Sequence, residues 1–191
     1  MQAIAEYRGN MLNHVEALYR AGDRDIAIEM GEVLGCVVVD TGIDAGGGST
    51  FLAVHPNPAD LDVDNNAFYL SEITAEHAAV EEALAEIQAG NPNLRARVDG
   101  YREKALRWPF SIPHFGLRYQ SEVEIEAVAE RLQRASKKLR ARARIRIVRP
   151  GDEGALTQFT QGFVHQDVVV AGSFLLGQLI ELQYQPPSQA G

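Results

Sequence analysis

Between Ser121 and Val148 the hydrophobic period changes within one continuous stretch. Ser121 and Glu124 have capping-box spacing, and Ile125, Val128, Leu132, Ala135 and Leu139 fall on one face at helical spacing. Past Arg140 the chain alternates strictly, with Arg142, Arg144 and Arg146 on one side and Ala143, Ile145 and Ile147 on the other, which is the pattern of a half-exposed strand. A helix and a strand must therefore lie side by side, which excludes the all-α and all-β classes. Acids (Glu122, Glu124, Glu126, Glu130) crowd the first half of the helix and bases (Arg131, Arg134, Lys137, Lys138) the second. That order complements the helix dipole, so the helix accounts for much of the local charge without a ligand.

The same two periods organise the rest. Ile4, Met11, Leu12, Val15, Leu18 and Tyr19 share one helical stripe that Ala21-Gly22-Asp23 stops, and a second helix is expected from an Asp25 N-cap to Gly35, burying Ile26, Met30 and Val33. Cys36–Val39 and Thr50–Val54 read as strands around a Gly-rich loop, and residues 55–66 as loop. Phe68–Thr74 suggests a short strand. Thr74 then caps a helix with Val80, Ala83, Leu84 and Ile87 inward, ended by the Gly-Asn-Pro-Asn at 90–93. A further helix spans about 94–106, and Pro109 and Pro113 keep the next stretch out of helix. From Gly162 onward the β-formers are interrupted by Gly172 and Gly177, giving two strands or one long bent one, before a disordered tail at 186–191. No repeat of fixed period is found. The expected fold is α+β, a single domain over 1–185 with a largely antiparallel sheet and several flanking helices.

At 191 residues and 46% hydrophobic, the chain can bury one sizeable core. No window approaches the about 18 apolar residues of a membrane helix, and the first residues lack a basic and then apolar leader, so we expect a soluble cytoplasmic protein, or part of a particle assembled inside the cell, with no membrane partner. Cys36, the single cysteine, lies in an apolar run and reads as a small buried hydrophobe. The net charge of -8 is unevenly spread: residues 1–90 hold 3 Lys/Arg against 16 Asp/Glu, and residues 91–150 hold 15 against 6. Such segregation can be neutralised inside one fold, join copies, or present a basic face to nucleic acid.

Four segments are candidates for chemistry. Val38-Val39-Asp40-Thr41-Gly42 resembles the hydrophobic-hydrophobic-Asp-Thr-Gly of aspartyl proteases, with Phe174–Gly177 in the place of the later hydrophobic-Gly element, but no second Asp motif supplies the partner carboxylate. The run through Gly46-Gly47-Gly48 has the outline of the phosphate-cradling turn of actin-like ATPases; Asp40 and Asp44 repel phosphate, and a hairpin loop is the simpler reading. Asp60, Asp62, Asp64 and Asn66 occupy positions 1, 3, 5 and 7 of an EF-hand-like loop and could hold Ca²⁺, although Ser71 stands where the bidentate Glu belongs. No other cofactor is expected. Trp108, Phe110 and Phe115, beside arginines, could make a protein hot spot or stack on bases, and Arg142, Arg144 and Arg146 could meet an acidic subunit or track phosphates. The expectation is a non-enzymatic assembly subunit that self-associates or docks into a larger complex through complementary acidic and basic surfaces. Alternatives are a nucleic-acid-binding protein using 131–149 and the 107–119 loop, and a hydrolase using Asp40.

Overall fold

The computed structural model describes residues 14–44, 49–62, 66–153, 155 and 158–184. The chain order is β1 (His14–Tyr19), α1 (Arg24–Val33), β2 (Val37–Asp44), β3 (Thr50–His55), β4 (Ala67–Glu72), α2 (Ala75–Gly90), α3 (Pro92–Arg107), β5 (His114–Tyr119), α4 (Glu122–Arg134), α5 (Lys137–Arg140), β6 (Ala143–Val148), β7 (Gln161–Gln166) and β8 (Gln178–Tyr184). These elements make two four-stranded sheets of order β1-β4-β3-β2 and β5-β8-β7-β6. In each, three strands run antiparallel and the first pairs parallel with the last. The fold is α+β, with two mixed sheets where the sequence suggested one.

The two sheets are copies of one design, β-α-β-β-β, and their residues correspond by register. His14 lies opposite Ala67 as His114 lies opposite Leu179, and Ala53 lies opposite Tyr69 as Phe163 lies opposite Glu181. The correspondence survives in the residues: His14 and Tyr19 match His114 and Tyr119, while Thr50, Val54 and His55 match Thr160, Val164 and His165. No fixed period reveals this, because the spacing differs from element to element and α2–α3 is inserted between the copies.

Several local expectations change. His14–Tyr19 is a strand, because Ala17 and Tyr19 are buried on one side while parallel pairing with β4 satisfies the backbone; six residues are too few for periodicity to separate the two structures. Ile4, Met11 and Leu12 lie outside the described residues, as do 45–48 of the Gly-rich loop and the tail. α1 begins after Asp23, not Asp25, and the Asp23 carboxylate makes no cap hydrogen bond. Asp40-Thr41-Gly42-Ile43 belongs to β2, where the pairing with β3 shifts register between Asp40 and Asp44 and Gly42 takes φ +71°. The Ser121 helix is capped as expected, with Ser121 Oγ accepting from Glu124 N, but it stops at Arg134. Ser136 then donates through N and Oγ to Glu29, both at 2.6 Å, and starts a separate turn, so tertiary contact breaks a helix that periodicity continued to Leu139.

One core joins the copies. Ile26, Met30 and Leu34 of the first meet Leu117, Ile125, Val128, Leu132 and Leu182 of the second. Three hydrogen bonds seal this contact or the opposite edge: Tyr119 Oη donates to Leu34 O at 2.7 Å, Arg131 Nε to Val33 O at 2.8 Å, and Leu18 N to Val170 O at 2.8 Å. α3 takes the other face of the second sheet, where Ala105 and Ile112 pack on Val148, Phe163 and Leu179.

Candidate functional site

Part of the segregated charge is joined inside the fold, at Asp23. Arg142, in the turn just before β6, reaches Asp23 with Nη1 at 2.5 Å and Asp167 with Nε at 2.7 Å, and Lys138 Nζ adds a contact to Asp23 at 2.8 Å. The acidic N-terminal half and the basic middle thus meet within one chain. Arg146 turns inward and donates to the carbonyls of Leu106, Arg107 and Glu153. Arg144 alone of the three is exposed, with no hydrogen bond or ion pair among the described residues.

The aromatic segment divides similarly. Phe110 stacks edge-on to Phe163 at 5.8 Å and half-buries itself over the second sheet, and Phe115, on β5, meets Phe68 of the other copy at 5.7 Å. Trp108 rests edge-on against Phe110 at 5.6 Å and stays 43% exposed. The loop therefore closes the core, and Trp108 is its outward part.

Asp40 is held as an acceptor. Thr50 Oγ1 donates at 2.7 Å, Gly42 N at 2.9 Å and Arg24 Nη2 at 2.7 Å, and these bonds, Thr50 first, lower its pKa below the ordinary 3.8. A carboxylate so served stabilises the hairpin and is a poor proton donor. Tyr19 Oη continues the chain of contacts from Arg24 to Ser49, whose Oγ donates to Glu72 at 2.8 Å. In the acidic loop, Asp60 accepts from Asp62 N at 3.4 Å and Asn66 takes φ 49°, while Asp64 lies outside the described residues. Among the described residues no three His, Cys, Asp or Glu side chains gather as metal ligands.

The repeated histidines have diverged in their partners. His114 Nδ1 faces Ile112 O at 2.7 Å and Nε2 faces Glu181 Oε2 at 3.1 Å, whereas His14, its counterpart, lies against the Tyr69 ring at 4.7 Å. His55 is fully buried with neither ring nitrogen bonded among the described residues; its counterpart His165 bonds Leu176 O through Nε2 at 3.1 Å. Burial, aided by the positive charges of Arg102 and Arg144, lowers the His165 pKa below 6.5 in spite of that hydrogen bond. The unfolded chain accordingly binds a proton near pH 6.5 that the folded chain refuses until lower pH, so His165 makes stability fall as pH drops below 6.5. Urea midpoints measured at about pH 7 and about pH 5.5 should differ less in His165→Gln than in the native protein.

The surface that sequence reasoning missed is α2. Of the four residues expected inward, Val80 and Ile87 are each 58% exposed and Ala83 is exposed, while Leu84 is half-buried; among the described residues α2 has no fully buried side chain. The face turned to the body carries His77, Ala78, Glu81, Leu84 and Gln88: His77 lies edge-on to Phe174 at 6.3 Å, and Glu81 Oε1 accepts from Phe174 N at 3.3 Å. The signal was present in the sequence as a second stripe, mostly small and polar, at the same helical spacing. α2 carries Glu76, Glu81, Glu82 and Glu86 with no Lys or Arg; α3 carries Arg95, Arg97, Arg102, Lys104 and Arg107 against Asp99 and Glu103.

Compared with family models, with curated proteins and with solved structures, the chain gives no match. Among the described residues no helix is long and apolar enough to cross a membrane.

Proposed function

We propose that the protein is a self-associating subunit, in which a second copy of the chain docks on the α2–α3 hairpin. The supporting observation is the outward stripe of Val80, Ala83 and Ile87 on α2, all exposed. Large apolar side chains held to solvent gain by being buried against something, at roughly 1.5–3 kcal/mol for each one fully covered. Charge selects the occupant. Two hairpins related by a two-fold axis form a four-helix bundle in which each acidic α2 lies between its own basic α3 and that of the other copy. An acidic partner would be repelled by α2, and a basic one by α3. The nucleic-acid alternative retains less support, since Arg142 and Arg146 are occupied within the chain.

Light scattering on the native protein is expected to give a dimer. Val80→Glu and Ile87→Glu, which place a charge in the apolar seam of a helix already carrying four glutamates, should raise the dissociation constant at least about a hundredfold, equivalent to roughly 3 kcal/mol. Circular dichroism should stay unchanged, because both side chains are exposed within one copy. A native protein that remains monomeric at high concentration would sink the reading.

A further inference from the structure

A cavity of about 340 Å³ opens between α3 and β6, the edge strand of the second sheet, with Asp99, Arg102, Glu103, Arg144 and His165 among its lining. Its size is at the lower end of small-ligand sites. Arg142 and Asp167 also border it but answer each other, so the groups left to recognise a ligand are the other charged ones.

Those groups carry both signs, Arg144 on the strand and Asp99, Arg102 and Glu103 on the helix. On the strand wall, Arg144 projects from β6 beside His165 of β7, its cross-strand partner, and has no hydrogen bond or ion pair among the described residues. Arg102, on the helix between Asp99 and Glu103, donates Nε and Nη2 to Leu175 O, at 3.1 and 2.8 Å, which fixes its guanidinium plane. His165 gives its Nε2 proton to Leu176 O, leaving Nδ1 as an acceptor, and its ring is seated against Gly177. On the helix wall, Asp99 and Glu103 stand one turn apart, exposed and without a bond among the described residues. A simple anion entering this space meets Asp99 and Glu103, and a simple cation meets Arg102 and Arg144. A molecule carrying both charges satisfies both sets of groups.

We infer that this cavity binds a small zwitterion of the α-amino-acid class, its carboxylate on Arg144 and Arg102 and its ammonium on Asp99 and Glu103. Charge-assisted hydrogen bonds at both ends supply the affinity, and the presence of both signs in one cavity supplies selection against molecules with only one of the two charges. The inference does not depend on self-association, since the groups come from one chain.

The test is calorimetry on the full-length protein with the common L-α-amino acids taken singly, each beside its deaminated carboxylic acid and its decarboxylated amine. At least one amino acid should bind tenfold or more tightly than both one-charge analogues. Arg144→Gln and Glu103→Gln, both at exposed side chains, should each weaken it by about tenfold or more without changing the thermal midpoint. Absence of binding by every amino acid at millimolar concentration overturns the inference. So does equal binding of the carboxylic acid alone, which would make this an anion site, or an affinity indifferent to both substitutions.

Discussion

Arg142→Ala is expected to remove about 3 kcal/mol of stability and to lower the thermal midpoint by about 10 °C, the largest effect of any charge substitution in this chain. The guanidinium bridges Asp23, which is 7% exposed at the head of α1, and Asp167, which follows β7, so it ties one copy of the module to the other. Truncation leaves Asp23 in a nearly closed site with Lys138 as its remaining partner, and an uncompensated buried carboxylate is far more costly than the pair itself is favourable. Asp167 suffers less, being more open and still within reach of Arg20 at 3.7 Å. Arg142→Lys should recover only part of the loss, because a single ammonium cannot serve both carboxylates along two edges of a plane. Burial pushes the Asp23 pKa up, but the hydrogen bonds and charges of Arg142 and Lys138 outweigh it and leave the value below 3.8. The stabilisation is therefore fully present above pH 3.8 and is lost as pH falls through the lowered value, so the native protein should lose stability in acid more steeply than Asp23→Asn. Urea titrations of the three variants check these expectations. A loss under about 1 kcal/mol for Arg142→Ala would mean that the bridge is no stronger than a surface ion pair.

Gly177→Ala is expected to cost about 3 kcal/mol, and it should also displace His165. Gly177 takes φ +75°, and a Cβ there would lie 2.8 Å from Gln166 O and 2.8 Å from the His165 ring. The left-handed conformation alone costs an alanine roughly 1–2 kcal/mol. The carbonyl it would strike belongs to β7 at its pairing with β8, so neither side can move without loosening the sheet. Gly42→Ala separates the two causes: Gly42 has φ +71° but nothing among the described residues within 4 Å of the added methyl, so it should show the conformational part alone, about 1 kcal/mol. Equal losses at the two positions would show that the close approach at Gly177 contributes nothing. The ring displacement is read from the His165 imidazole signals in an NMR spectrum.

Periodicity determined more of this protein than motifs did. The Thr74 and Ser121 caps, the alternation through β6 and the Pro109–Pro113 break are local chemistry, in which a side chain answers a backbone group a few residues away, and all are observed in the structure. The duplication was written in the matching pairs His14/Tyr19 and His114/Tyr119, and Thr50/Val54/His55 and Thr160/Val164/His165, but unequal spacing hid it until strand register aligned the copies. What only the tertiary structure decided is the use of each charge and each apolar face. Arg142, Arg144 and Arg146 share one face of a strand and look alike in sequence; one is a bridge between modules, one is tied to carbonyls and one faces a cavity, because their surroundings come from residues far away in the chain. Val80 and Ile87 form an apolar stripe by spacing, yet which stripe of α2 turns inward depends on what the body offers it, here Phe174 and its backbone N–H, which select His77 and Glu81. Hydrophobic period names a face, and only packing says whether that face is covered.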